Sequence, residues 1–213
     1  MEPAINNLGK SFTRLLIEDV LDAYDRVAKR DDEGSRRHVV RTIFAAIEGE
    51  VWMCREHVRQ TAAAMGYLTP LADLALREQN YSVTEAGEVV EQTRYVTLTA
   101  SIRLTVKQAM VLAPGLLVDF GGHGWQQLKQ ALAVRHRITH PKQTAHLVIS
   151  EDDLATARIA FEWVLAVVTE VMGAIISAQA EHSRDMRELL EQLKAGDPAA
   201  LQAYRDALAA APD

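Results

Sequence analysis

The sequence predicts an all-α protein, an antiparallel bundle of about four to five main helices with a possible small β-hairpin inserted near residues 81–95. Alanine, leucine, valine and glutamate are common and aromatic residues make up only 6% of the chain, a balance that favours helix. Apolar residues recur every three or four positions over long segments, and glycine and proline fall between those segments. We therefore expect one domain over 1–213, with residues 183–213 as a helical C-terminal extension.

The first half of the chain contains two long helical repeats of apolar residues. One predicts a helix over about 11–30, and the other predicts a helix over about 35–65 that ends at Gly66. A shorter helix is expected at about 71–79. Valine and threonine on both sides of Gly87 then favour two short strands joined by a turn, which is the predicted hairpin.

The second half is also helical, and its boundaries carry clear signals. Pro141 disfavours the helical conformation at His140, so the helix before it should end there. Ser150 and Asp153 have the spacing of a capping box and predict the start of a helix at residue 151. The helices expected in this half cover about 96–112, 125–139, 151–180 and 185–194, with a last short helix after Pro198.

Cysteine content and apolar segments bear on the cellular location. Cys54 is the single cysteine, which excludes an internal disulfide and fits a reducing, cytoplasmic compartment. The amino terminus lacks the basic patch and apolar run of a secretory signal. The apolar segment 161–180 contains Glu162 and Glu170, so we interpret it as a core helix and expect no membrane span.

Charge is distributed unevenly along the chain. The net charge of −6 argues against a general nucleic-acid coat protein. Residues 1–91 and 151–213 carry −5 and −7, whereas residues 92–150 carry +6, with one acid (Asp119) against seven bases. The middle segment is either a set of core helices with little solvated surface or an anion-binding face, and charge alone leaves both open. Its bases are Arg94, Arg103, Lys107, Lys129, Arg135, Arg137 and Lys142.

The stretch 133–142 holds two arginines, two histidines and a lysine, and no carboxylate. Arginine binds phosphate with a planar fork of donors, and histidine transfers protons near neutral pH. His136 and His140 share a helix face with Lys129, and Arg135 lies beside that face. If the last helical turn loosens before the proline, Arg135 and His140 come together as a site for a phosphodiester.

Other interpretations of these residues remain open. Basic side chains also stabilise the carboxyl end of a helix. His136 and His140 have a metal-binding spacing, but Arg137 occupies the place of the metalloprotease glutamate, so no metal or other cofactor is predicted. The glycines at 121–124 are interpreted as a tight turn rather than a phosphate loop. Glu48 and Glu50 are expected on the solvated side of their helix, the alternative being that one faces inward and orients a basic group. Cys54 is expected in the core.

The basic stretch resembles the signature of the HEPN superfamily, an arginine and a histidine with four to six residues between them. Arg135 and His140 match this signature with four residues between them. The resemblance covers about residues 120–160. It includes the upstream Trp125, Leu128 and Leu132, the internal Ile138, the following Pro141, and the helix start ISEDDLATA.

The resemblance implies a bundle of about four helices that dimerises so that two motifs face one cleft. Many members of the superfamily are metal-independent endoribonucleases, often toxins or defence effectors, and others bind RNA or nucleotides without cleaving. Carried over, Arg135 would hold the scissile phosphate. His140 would act as general acid or base while the ribose 2′-hydroxyl attacks and leaves a 2′,3′-cyclic phosphate. The residue after the arginine is often asparagine or aspartate. Here it is His136, either a second proton carrier or the mark of a degenerate site.

The sequence-based prediction is therefore a cytoplasmic, homodimeric endoribonuclease with catalytic Arg135 and His140. His136, Arg137, Lys142 and Lys129 are expected to support phosphate binding. The partners expected are RNA or a nucleotide, a second copy of the chain, and possibly an antitoxin protein. One alternative is a non-catalytic module that binds RNA, a nucleotide or a protein, and another is a helical dimer in which the motif only holds the interface.

Overall fold

A computed structural model describes residues 11–210 of the chain. These residues form seven α-helices, a two-stranded sheet and a short 3-10 helix at Thr144–Leu147. In chain order the elements are α1 (Phe12–Lys29), α2 (Glu33–Ala64), α3 (Pro70–Leu76), β1 (Gln79–Val83), β2 (Val89–Thr93), α4 (Leu98–Leu112), α5 (His123–Thr139), α6 (Glu151–Lys194) and α7 (Pro198–Ala210).

Side-chain caps account for where the helices start. A serine, threonine or aspartate precedes each of five helices and accepts a hydrogen bond from the backbone N–H three residues later. The predicted capping box at the start of α6 is confirmed, because Ser150 and Asp153 each accept from the other's backbone N–H. Gly66 adopts a φ of +75°, which ends the α2 segment as predicted.

The core lies between α2 and α6. Helix α2 packs against α1, α4 and α6, and α6 packs in addition against α5. The link between α1 and α2 is only three residues long, so the two helices are antiparallel neighbours. The largest fully buried apolar side chains come from α2, α3, α5, α6 and the link before α6, namely Phe44, Ile43, Ile47, Leu76, Leu128, Ile138, Ile149 and Ile175.

The all-helical class is confirmed, but the described residues contain seven helices rather than the four to five that were predicted. The helices predicted at 151–180 and 185–194 form one continuous helix of 44 residues. The apolar stripe fades after residue 180, but no glycine or proline interrupts 174–194 and its residues are mostly good helix formers. Ion pairs one turn apart, such as Lys194 with Glu191 at 2.7 Å, support this part of α6.

Helix α6 is, within residues 11–210, the one helix that is long and apolar enough to cross a membrane. Core helices of soluble proteins meet the same criterion of length and composition. In this bundle 39% of its most apolar 18-residue window is buried, and α6 packs against four other helices, α2, α4, α5 and α7.

The predicted hairpin near 81–95 is confirmed as an antiparallel pair with Ser82 opposite Val90. Gly87 lies in its turn with a φ of +79°, a conformation that glycine adopts without cost. Just before the first strand, Glu78 has a φ of +54°, which is unfavourable for a residue with a side chain. This conformation is held in place by hydrogen bonds across the base of the hairpin, because the Glu78 carbonyl accepts from the Arg94 N–H at 2.8 Å.

A carboxyl group lies inside the core. Glu50 is 1% exposed and accepts one hydrogen bond, from the Thr13 hydroxyl at 3.1 Å. Burial raises the pKa of Glu50, and burial together with the Glu50 charge raises the pKa of the neighbouring Cys54 thiol to about 12. The interpretation that both Glu48 and Glu50 lie on the solvated side is therefore wrong for Glu50, whereas the expectation that Cys54 is a core residue is confirmed.

Replacing Glu50 with glutamine is expected to remove a pH dependence of stability. In the unfolded chain the carboxyl loses its proton near pH 4.5, whereas in the folded protein it keeps the proton to a higher pH. The free energy of unfolding of the wild type should therefore fall as pH rises above 4.5. Urea unfolding at pH 5 and pH 7 should show Glu50→Gln gaining stability relative to the wild type at the higher pH.

Glu170→Gln, at an exposed position of α6, is the matched control and should show the same difference from the wild type at both pH values. A pH-independent effect of Glu50→Gln would contradict the raised pKa of the buried Glu50 carboxyl.

Candidate functional site

The basic stretch lies at the carboxyl end of α5, on the side of the helix that faces away from the core. The buried stripe of α5 comprises Trp125, Leu128, Ala131, Val134 and Ile138. The residues between these positions therefore point toward solvent or toward neighbouring helices, and they include the arginines and histidines at 135–137 and 140.

Arg135 is held between α5 and α2. Its Nη2 donates to Glu48 Oε1 at 2.7 Å, and its guanidinium carbon lies 5.8 Å from the centre of the Phe44 ring. Both charged side chains remain accessible, at 40% for Arg135 and 46% for Glu48. They line an open groove of about 700 Å³ together with Arg41, Phe44, Ala45, Ile138 and Thr139.

His136 and His140 form a pair one helical turn apart. Their ring centres are 5.1 Å apart and both residues are exposed. The expectation that the last turn loosens to join Arg135 and His140 is not met, because the His140 N–H keeps the regular helical bond to the His136 carbonyl at 3.0 Å. Neither histidine lines the groove of Arg135. Within one chain the two histidine rings therefore lie next to each other, outside the groove that Arg135 lines.

The other basic residues predicted to support the site have different surroundings. Arg137 donates to Asp153 Oδ2 at 2.8 Å, which joins the end of α5 to the start of α6. The backbone N–H of Lys142 donates to His146 Nδ1 at 3.2 Å. The side chains of Lys129 and Lys142 are exposed. A role in phosphate binding stays a prediction for all three.

Asp153 collects several hydrogen bonds, which set its charge state. Burial alone would raise its pKa, but the hydrogen bonds from the Ser150 N–H and the Arg137 guanidinium outweigh burial and lower the pKa of Asp153. The carboxylate therefore stabilises the folded state above pH 3.8, and this contribution is lost as pH falls through the folded pKa.

Asp153→Ala is expected to reduce the free energy of unfolding by about 1–2 kcal/mol at neutral pH, because it removes the acceptor of the Ser150 N–H in the capping box and the partner of Arg137. Urea unfolding measures the loss. Asp152→Ala, at the exposed neighbouring position, removes only a favourable charge at the helix start and should cost about 0.3–1 kcal/mol. Equal effects of the two substitutions would show that the ion pair between Arg137 and Asp153 adds nothing to the free energy of unfolding.

The glycine-rich turn before α5 is closed by a carboxylate. Asp119 Oδ1 accepts from the backbone N–H groups of Gly121 and Gly122 at 2.7 and 3.0 Å. These amides, which a phosphate loop would need, already have an anionic partner. The turn therefore positions the start of α5, in agreement with the interpretation as a tight turn.

One feature of this region was not predicted. Glu48, the partner of Arg135, lies 87 positions away in the sequence, and only its place on α2 one turn after Phe44 hints at the contact. Within residues 11–210, no group of three or more histidine, cysteine, aspartate or glutamate side chains is arranged to hold a metal ion. The side chains at the end of α5 are able to bind phosphate through arginine and to transfer protons through histidine.

Comparison of the chain with protein-family models, with curated proteins and with solved structures finds no match. The functional argument accordingly depends on the geometry of the residues themselves.

Proposed function

We propose that this protein is a metal-independent endoribonuclease that acts as a homodimer in the cytoplasm, in the manner of HEPN-like toxins or defence effectors. One observation carries the proposal, the juxtaposition of an accessible arginine fixed by Glu48 with an exposed pair of histidines at the same helix end. In the proposed homodimer two such ends face one cleft, so that Arg135 of one copy acts together with His140 of the other.

The proposed reaction is attack of a ribose 2′-hydroxyl on the adjacent phosphorus. Arg135 donates hydrogen bonds to the non-bridging phosphate oxygens. Its hydrogen bond to Glu48 uses one N–H of the guanidinium, so the remaining N–H groups can bind the phosphate. One histidine takes the proton of the 2′-hydroxyl as the new O2′–P bond forms. Another, His136 or the His140 of the second copy, gives a proton to the 5′ oxygen as the P–O5′ bond breaks. The products are a 2′,3′-cyclic phosphate and a 5′-hydroxyl.

The proposal is tested by RNA cleavage with excess EDTA, with the product ends identified by mass spectrometry. Wild-type protein should form cyclic phosphate ends, and Arg135→Ala should reduce the rate by about 10²- to 10³-fold. Arg158→Ala is the matched control, because Arg158 also pairs with a glutamate on an exposed helix face and should be dispensable. Cleavage that survives in Arg135→Ala, or that requires added divalent metal, would refute the proposal.

A second candidate is a non-catalytic RNA- or nucleotide-binding module. The observation that favours it is that Glu48 and Asp153 already pair with Arg135 and Arg137, which reduces the positive charge offered to a phosphate. This candidate predicts salt-dependent binding without cleavage by the wild type. Arg135→Ala should then weaken binding and reduce its salt slope by about 1.

A further inference from the structure

A second pocket adjoins the groove of Arg135 and has aromatic side chains at its rim. It measures about 690 Å³ and lies between α2, Glu78 and the segment that leads into α4. Glu48 lines both this pocket and the groove, so the two lie next to each other. We propose that this pocket binds a base of the single-stranded RNA whose phosphate Arg135 holds, an inference that rests on the proposed function. The side chains that carry it are Trp52, Arg55, Glu78 and Tyr95.

Both aromatic side chains of the pocket are exposed. Trp52 is 56% exposed and Tyr95 is 87% exposed. Trp52 follows Glu48 by one helical turn on α2, a rise of about 6 Å along the helix. Single-stranded RNA is recognised largely by stacking of splayed bases on such rings, because each base has a π-face. A base next to the phosphate at Arg135 therefore has an aromatic surface within reach.

Tyr95 is exposed but its backbone is fixed on both sides. The residue before it, Arg94, donates its N–H to the Glu78 carbonyl at 2.8 Å, and the residue after it, Val96, donates to Glu78 Oε1 at 3.3 Å. Glu78 accepts these hydrogen bonds with a φ of +54°. A residue with a side chain keeps such an unfavourable conformation only where surrounding contacts stabilise it, and such residues are frequent at functional sites. The protein thus fixes the chain at a tyrosine whose ring contributes little to the core.

The pocket also has a charged, buried wall. The Arg55 side chain is 10% exposed, donates to Glu78 Oε1 at 3.0 Å, and lies 3.4 Å from the Ser101 hydroxyl. Guanidinium donors and carboxylate oxygens match the donor and acceptor groups at the edge of a base. The buried centre of a protein–protein interface, by contrast, is depleted in charged residues. This wall favours a base over a second copy of the chain as the occupant.

The test compares two short oligonucleotides by fluorescence anisotropy, a 2′-O-methyl oligomer that cannot be cleaved and an oligomer of equal length without bases. Wild-type protein should bind the first about 5- to 100-fold more tightly. Trp52→Ala and Tyr95→Ala should lose most of this preference and keep their affinity for the baseless oligomer. Trp52→Phe, which retains a stacking ring, should restore the preference.

Tyr204→Ala is the matched control, because Tyr204 is 52% exposed on α7 and does not line the pocket. It should retain the full preference, whereas Arg135→Ala should weaken binding of both oligomers. Equal binding of the two oligomers by the wild type would overturn the base site. A preference for bases that survives in Trp52→Ala would also overturn the base site if sedimentation shows that this variant no longer forms the dimer. That result would indicate that the pocket faces a second copy of the chain.

Cleavage assays on the same variants separate the two proposals. RNA cleavage by a wild type that shows no preference for bases would overturn the base site alone and leave the nuclease standing. A preference for bases that depends on Trp52 in a protein that cleaves no RNA would refute the nuclease and support the base site.

Discussion

His140→Ala is expected to slow RNA cleavage by about 10²- to 10⁴-fold, the usual contribution of a positioned acid or base. The variant should fold normally, because the helical bond at this position uses only the backbone N–H of residue 140, which alanine retains. The side chain is exposed at the end of α5, so its removal leaves no cavity. Single-turnover cleavage rates with saturating protein measure the effect on the chemical step.

His38→Ala is the control, since His38 is also an exposed histidine, on α2, and does not line the groove of Arg135. His136→Ala then distinguishes between two proton-transfer schemes. A loss as large as that of His140→Ala indicates that the pair within one chain supplies both acid and base. A nearly normal rate indicates that the second proton carrier is the His140 of the other copy. Wild-type cleavage by His140→Ala would exclude both schemes.

Gly124→Ala is expected to lower the free energy of unfolding by about 3 kcal/mol, at the upper end of the cost of overpacking a core. A Cβ at this position would lie 2.8 Å or less from three atoms of Trp163. That indole is not free to move, because it packs against Trp125 and Phe120 with ring centres 5.5 and 6.2 Å away. The added methyl group must therefore push α5 away from α6 or break this aromatic cluster.

Gly173→Ala provides a control with the opposite sign. Gly173 lies within α6, and a Cβ there would meet no other atom within 4 Å. Alanine should therefore stabilise the protein by about 0.5–1 kcal/mol, because it loses less backbone entropy on folding than glycine does. Urea unfolding of both variants gives the comparison. Equal effects of the two substitutions would contradict the close approach of Trp163 to Gly124.

The local structure was predictable because its signals are local. The apolar repeats predicted α1 and α5 to within two residues at each end, and the capping box at Ser150 marked the start of α6. The continuity of α6 across residues 181–184 was not predictable from the same repeat. Its apolar stripe fades where the helix is no longer buried, but helix propensity and ion pairs continue it to Lys194.

The site was predictable only in part, because it depends on contacts between distant segments. The basic residues at 135–140 were identified from their chemistry, but the partner of Arg135 is on another helix. The helical repeat of α2 does predict Glu50 on the buried face of the helix, since it follows the buried Ile43 by seven residues and Ile47 by three. That Tyr95 and Trp52 line the same pocket had no sequence signal, because they lie 43 positions apart on separate segments of the chain.

The bond between Arg137 and Asp153 has a consequence for genetic studies of this protein. It ties the helix end that carries His140 to the first turn of α6. Under the proposed nuclease function, a screen for inactive alleles should therefore recover substitutions at Asp153 as readily as some substitutions among the basic residues, although Asp153 pairs with Arg137 rather than with a phosphate. Phenotypes alone would suggest that the Asp153 carboxylate takes part in the reaction. Separate measurements of the abundance and the specific activity of each variant protein would show that its effect is on folding.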